Sequence, residues 1–250
     1  MTIDQLWAYF AEADNWQGAQ GILTYLAQQL LLSLTSIAVA ALIGLPIALW
    51  LGHLGKGGFL AINISNVGRA VPTYAVLAML ALREGGSEEL GPYGRAGLAT
   101  LIALTLFALP PIITNAYVGM HQVDREVVEA AQGMGMRGSE VFRRVELPLA
   151  RPLVLTGLRL ALVQVWATAT IAALVAGPGL GNIITEGFAT NDTAQVVAGA
   201  LLVAVIAVVL EGGFAVAERM ADPLRSARRA ARQVTVAQQR PSGLAGPIGR

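Results

Sequence analysis

The sequence predicts an all-α polytopic membrane protein, and three observations carry that expectation. Of the 250 residues, 55% are hydrophobic and 13% are charged, with a mean hydropathy of +0.60, where a soluble domain carries about 25% charged residues. Five apolar segments, near 30–51, 59–82, 96–118, 152–176 and 194–217, each supply the roughly 20 helical residues that cross about 30 Å of hydrocarbon. Lysine and arginine crowd some of the intervening stretches and are scarce in others. Lipid offers no partner to an open strand edge, and the segments are too long for barrel strands, so each is expected to be a helix.

Residues 1–29 combine Trp7, Tyr9, Phe10 and Trp16 with Asp4, Glu12 and Asp14. They lack the basic start and small-residue cleavage site of a secretory signal and read as an extracytoplasmic, interfacial arm. No lysine or arginine precedes Lys56. The loop near 83–95 balances Arg83 and Arg95 against Glu84, Glu88 and Glu89, and the loop near 177–193 holds Glu186 and Asp192. By contrast, the gap at 119–151 carries Arg125, Arg137, Arg143, Arg144 and Arg151, and the tail at 219–250 is rich in arginine. The excess of basic residues on cytoplasmic loops places the N-terminus outside and the C-terminus inside, which an odd number of spans satisfies. The region 30–218 is then the transmembrane domain, and the tail, with its proline and glycine near the end, is expected to be partly disordered.

Within the spans, Ser36, Ala40, Gly44, Ala48 and Gly52 recur every four positions, as do Ala169, Ala173, Gly177 and Gly181. Such stripes allow close approach of another backbone, either within the bundle or from a second subunit. Pro46, Pro72, Pro110 and Pro111 lie inside apolar spans, where each removes an amide donor. Breaks of that kind are tolerated where they line an enclosed cavity or where neighbouring helices satisfy the kink. Pro72, Thr73, Tyr74, Pro110 and Asn115 are therefore candidate pathway residues. Tyr117, with Tyr74, Phe107 and Trp166, is an aromatic able to touch a passing cation. Asn115, Gln164, Arg159 and Glu211 are polar groups within spans that must be buried or face water. His53 and His121 lack partners in a metal-binding pattern and read as surface residues near the inner interface.

The gap at 119–151 holds a folded device. Asp124 is a candidate N-cap, Glu126 and Glu129 suit a helix start, and Val127, Val128, Ala130, Ala131 and Met134 supply an apolar face. Gly133, Gly135 and Gly138 interrupt it. A second short helix is expected from Ser139, with Pro148 and Pro152 stopping or redirecting the chain into the fourth long segment.

The spacing Glu129-Ala130-Ala131, three residues, Gly135, nine residues, Val145-x-Leu147-Pro148 resembles the EAA loop of permease subunits of ATP-binding-cassette importers, with valine where isoleucine is usual. The resemblance implies a type I importer permease fold in a bacterial inner membrane. It makes Glu129, Ala130, Ala131, Gly135, Leu147 and Pro148 residues that couple the bundle to ATPase subunits. It further implies a second permease subunit, identical or paralogous, and an extracytoplasmic solute-binding protein. Ala70-Val71-Pro72-Thr73, the run Leu109–Gly119, Gly133-Met134-Gly135-Met136, Val145–Ala150 and Ala176–Gly181 are similar to permeases for glycine betaine, carnitine and choline. Pro178 stands there in place of a glycine. Methionine permeases share much of this layout, so an amino-acid importer is the alternative within the family, and an ion-gradient carrier is the alternative outside it.

The chain is not expected to be an enzyme or to bind a cofactor. It has no cysteine, and Gly52-His53-Leu54-Gly55-Lys56-Gly57-Gly58 has the wrong spacing for a phosphate-binding loop. ATP and Mg²⁺ belong, on this reading, to the partner ATPase. A net charge of +1 argues against a nucleic-acid partner, and the apolar spans imply membrane lipid as a partner.

Overall fold

The computed structural model describes residues 3–59, 63, 71–82 and 88–221, and every regular element among them is helical. The order is α1 (Ile3–Ala11), α2 (Ile22–His53), α3 (Thr73–Ala81), α4 (Arg95–His121), α5 (Arg125–Gly133), α6 (Gly138–Val141), α7 (Leu147–Ile171), α8 (Gly181–Thr190) and α9 (Thr193–Ala221). Four helical stretches among the described residues are long and apolar enough to cross a membrane: Ile22–His53, Arg95–His121, Gly138–Val175 and Thr193–Arg219. The second expected segment, 59–82, falls largely outside the described residues; α3 is its described part. The tail beyond 221 also lies outside them.

α4 is the central helix. In its most apolar window 56% of residues are buried, against 11% for α9, so α4 packs on protein around most of its circumference while α9 flanks the bundle. Leu104, Ala108 and Ile112 of α4 meet Leu32 and Ala40 of α2 and Ala161, Val165 and Ala169 of α7 in one core. The small residues explain how three backbones come so close. Ser36, Ala40, Gly44, Ala48 and Gly52 are all buried, and a methyl on Gly52 would sit 2.5 Å from Met120 Cβ. That stripe is occupied by α4 of the same chain, which is the intramolecular reading. On the other side of α4, a Cβ at Gly157 would lie 2.8 Å from Asn115 Cβ and 2.9 Å from the Pro111 carbonyl oxygen.

Several expectations from the prolines change. Pro46, Pro110 and Pro111 stand inside helices that continue through them. Pro72 lies before α3 as its extended N-cap, with φ −64° and ψ 114°, a conformation the pyrrolidine ring favours. α2 starts eight residues ahead of the expected first span, because Gln28 and Gln29 dilute the local hydropathy without ending the helix. At 32 residues it is about 48 Å long, more than the hydrocarbon requires.

Gln29 ties α2 to the corner between α7 and α8. Fully buried, it accepts from the Leu180 amide at 2.8 Å and donates to Thr170 Oγ1 at 3.2 Å and the Trp166 carbonyl at 3.4 Å. Gly179, at φ +135°, brings its backbone so close that a Cβ would lie 2.9 Å from Gln29 Oε1. Beyond this corner the stretch expected to be a loop folds as α8. Its Glu186 accepts from the Tyr25 hydroxyl at 2.6 Å, and Asp192 Oδ1 caps α9 through the amides of Ala194 and Gln195. α1 packs against this end. Burial, then the carboxylates of Glu186 and Asp192, push the Tyr9 phenol up from its ordinary pKa.

Close approach at Gly157 yields a test. Gly157→Ala is expected to lower the thermal stability of the detergent-solubilised protein by about 1–3 kcal/mol, because the added methyl meets backbone that cannot yield. Gly212→Ala, where a Cβ meets nothing within 4 Å, is expected to gain up to about 1 kcal/mol from helix propensity. Equal shifts at both positions would contradict the packing described.

Candidate coupling site

The 119–151 segment forms a helical hairpin whose second arm runs unbroken into the bundle. α4 ends at His121, and three residues later Asp124 caps α5, its carboxylate accepting from the Glu126 amide at 2.9 Å. This satisfies one of the amides orphaned at a helix start. α5 ends in a Schellman motif: the Met136 amide bonds the Ala131 carbonyl at 3.2 Å and the Gly135 amide bonds Gln132 at 2.9 Å. Gly135 has φ +88°, the left-handed turn that this motif places on glycine. The geometry gives the spaced glycine a physical reason.

α6 begins at Gly138, where the Arg137 amide donates to Glu140 Oε2 at 3.0 Å. Next comes a π turn, Phe142–Glu146, in which the Leu147 amide reaches back to the Phe142 carbonyl. The expectation that Pro148 and Pro152 stop or redirect the chain does not hold, since the helical path runs from Gly138 to Val175. Pro148 follows directly on the widened turn, where the ladder shifts register and a missing amide is most easily accommodated. At Pro152, inside α7, the helix simply continues.

The six candidate coupling residues divide by face. Ala131 is buried against the hairpin's second arm, while Glu129, Ala130 and Gly135 are exposed and Leu147 and Pro148 are half-buried. Two apolar side chains beside Ala130, Val127 at 44% and Met134 at 78% exposure, complete an outward patch. Arg125, Glu126, Glu129 and Arg137 surround it with charges. Val127 and Met134 were legible as part of the apolar face but not as its outward side, which depends on how α5 rests on the second arm.

The six candidate pathway residues are not gathered in one place. Pro72 and Tyr74 are exposed and Thr73 half-buried at the start of α3, which packs through Leu77 on Ala103, Phe107 and Ala172. Pro110 is buried in α4. Asn115 is half-buried on the side of α4 that meets α7, its amide donating to the Pro111 carbonyl at 2.8 Å. Tyr117 packs with Ala48, Ile113 and Ala116 at the α2–α4 seam and stacks on the exposed His121. Phe107 and Trp166 are buried, and the Trp166 indole donates to the Val203 carbonyl at 3.0 Å. Tyr74 is thus the exposed member of the four aromatics. Gln164 is half-buried. A cleft of about 630 Å³ between α1 and the α8–α9 turn, lined by Gln5, Tyr9, Glu12 and Asp192 among others, is distant in the fold from the hairpin.

The intramembrane ions are paired: Arg159 of α7 reaches Glu211 of α9 at 2.6 Å and Glu218 at 3.9 Å. His53 corrects the surface reading, since its Nδ1 lies 2.5 Å from Glu146 Oε2, with Glu146 buried in the π turn. Among the described residues no group of His, Asp or Glu can hold a metal ion.

Comparison with known proteins agrees with this arrangement. The choline transport system permease protein OpuBD of Bacillus subtilis is 31% identical over 93% of this chain and 97% of its own length. The carnitine transport permease protein OpuCD of Listeria monocytogenes is 32% identical over 80% and 86%, and the osmoprotectant import permease protein OsmY of Salmonella typhimurium is 34% identical over 76% and 78%. In fold, the chain is similar to the MetNI methionine ABC transporter in its inward-facing conformation, with a TM-score of 0.65 at 18% identity over 88% of this chain and 99% of that one. Residues 40–220 match the family described as binding-protein-dependent transport system inner membrane component. With that match across most of its length, this multi-pass chain belongs to the binding-protein-dependent transport permeases and has the type I ABC importer fold.

Proposed function

We propose that the chain is the permease subunit of an ATP-driven importer for osmoprotectants such as glycine betaine, choline and carnitine. The observation that carries this reading is the capped, Schellman-terminated hairpin in a chain whose relatives are choline, carnitine and osmoprotectant permeases. Two permease subunits, identical or paralogous, enclose the pathway. A solute-binding protein delivers cargo outside, and paired ATPases carrying ATP and Mg²⁺ act from the cytoplasm. The excess of basic residues on the hairpin supports a cytoplasmic position for it, and the acidic character of the arm and of the α8–α9 turn supports an outer position for them.

In the proposed mechanism, Val127, Ala130 and Met134 enter a groove on the ATPase. A small alanine lets the backbone approach, and the surrounding charges fix orientation. Gly135 holds the bend that presents this patch. ATP-driven closure of the ATPases moves the hairpin, and the continuous helix through Leu147 and Pro148 passes that motion to α7 and so to α4. The solute meets the pathway from alternate sides of the membrane in turn. A quaternary ammonium cation needs an aromatic face, and Tyr74 is the candidate this chain offers.

Complexes of the permease, the ATPase and the binding protein should hydrolyse ATP faster when the binding protein is loaded with choline, carnitine or glycine betaine. Stimulation by methionine alone would overturn the substrate class. Gly135→Val forces a side chain into the left-handed region at a cost of about 1–2 kcal/mol, so stimulation should fall about 5- to 30-fold with membrane assembly intact. Insertion of one alanine between Leu149 and Ala150, in the regular part of α7, should turn the hairpin by about 100° relative to the rest of α7 and abolish stimulation. Undiminished stimulation in both variants would remove the hairpin's role.

A further inference from the structure

We infer that His53 and Glu146 form a positioning link through which α2 follows the coupling hairpin, an inference that rests on the coupling role proposed above. His53 is the last residue of α2, 93 positions from Glu146 in sequence. With the Glu146 carboxylate ionised, His53 Nδ1 carries the hydrogen and donates it. Glu146 is 6% exposed and the imidazole 23%, so the bond lies largely out of water. A second contact comes from the same π turn: the Phe142 ring meets the imidazole edge-on, with centroids 5.4 Å apart and planes at 78°. The Trp50 ring, one turn back along α2, has its centroid 6.4 Å from that of the imidazole, tilted by 48°.

The placement of this bond gives it a mechanical consequence. α4 joins the hairpin through the covalent turn at residues 122–124, and α7 joins it through the π turn. α2 has no such covalent junction. Its inner end rests on α4 through Gly52 against Met120, an apolar contact that permits sliding. The His53–Glu146 bond and the Phe142 ring add a directional attachment to the hairpin's second arm itself, so α2, α4 and α7 are all fixed to the element that receives the force. The widened turn also sets where Glu146 points. In a plain α-helix of the same length, residues on the hairpin side of the turn would be rotated by about 100° relative to α7, and Phe142 and Glu146 would not both face His53.

A bond that only stabilises the fold and a bond that transmits position predict different results. A buried acceptor left without its donor is costly, whereas an apolar pair of similar shape is nearly neutral. His53→Ala should therefore lower the ratio of solute-stimulated to basal ATP hydrolysis about tenfold, the change expected from a lost buried bond. His53→Asn, whose amide nitrogen can occupy the position of Nδ1, should keep the ratio within about twofold of the parent. The paired change His53→Leu with Glu146→Leu restores packing without direction, and it should assemble normally yet remain uncoupled. Because the chain has no cysteine, spin labels at Leu54→Cys and Arg143→Cys report the gap between α2 and the π turn directly. That distance should stay narrow and unchanged on ATP trapping in the parent, and broaden in His53→Ala and in the Leu/Leu pair. Full stimulation with a narrow distance in the Leu/Leu pair overturns the link, as does a His53→Asn variant no better than His53→Ala. A parent complex without solute stimulation would instead overturn the coupling reading, and the link with it.

Discussion

A force received at a membrane surface reaches a buried pathway only if the chain between them neither frays nor folds back. In this protein the helical path from Gly138 to Val175 would meet that constraint for the proposed coupling: its π turn lies directly before Pro148, and α7 continues through Pro152. The turn absorbs the missing Pro148 amide by changing the bond register just before it. The same change of register aims Glu146 inward and leaves Arg143 and Arg144 at the surface.

The bundle is organised for close contact. Small residues of α2 and Gly157 of α7 bring both helices against α4, and in lipid such packing replaces the hydrophobic driving force that a soluble core would use. Polar ties then fix the periphery: Gln29 to the Gly177–Leu180 corner, Tyr25 to Glu186, and Arg159 to Glu211. Each joins elements distant in sequence and gives a polar side chain of the bundle a partner.

Much of this was legible in the residues because the relevant physics is local. Apolar length gave the long helices, and Asp124 gave the start of α5, since caps depend on neighbours within a few residues. Gly133, Gly135 and Gly138 marked its interruption without showing which of them makes the turn. The buried small-residue stripe of α2 was legible as a packing face, though not which partner it meets. What escaped was non-local or too fine for periodicity. Gln28 and Gln29 looked like the end of an interfacial arm because hydropathy averages over a buried hydrogen-bonded glutamine. The π turn shifts one bond register and leaves almost no compositional trace, so Pro148 and Pro152 read as terminators. α8 is short and lies in a polar stretch, and the His53–Glu146 bond depends on two residues whose nearness only the fold creates. The candidate pathway residues were picked around prolines read as helix breakers, and of the four prolines in apolar segments Pro46, Pro110 and Pro111 stand within continuous helices.

The central claim is that the outward patch of α5 seats on the ATPase at the cytoplasmic face. A single cysteine at exposed Ala130 in this cysteine-free chain tests it most directly, by cross-linking in sealed membrane vesicles of known orientation that also hold the ATPase. The account predicts a cross-link to the ATPase, protection from membrane-impermeant thiol reagents added on the outer side, and a yield that changes when ATP is trapped. Labelling from the outer side with no cross-link to the ATPase would contradict it.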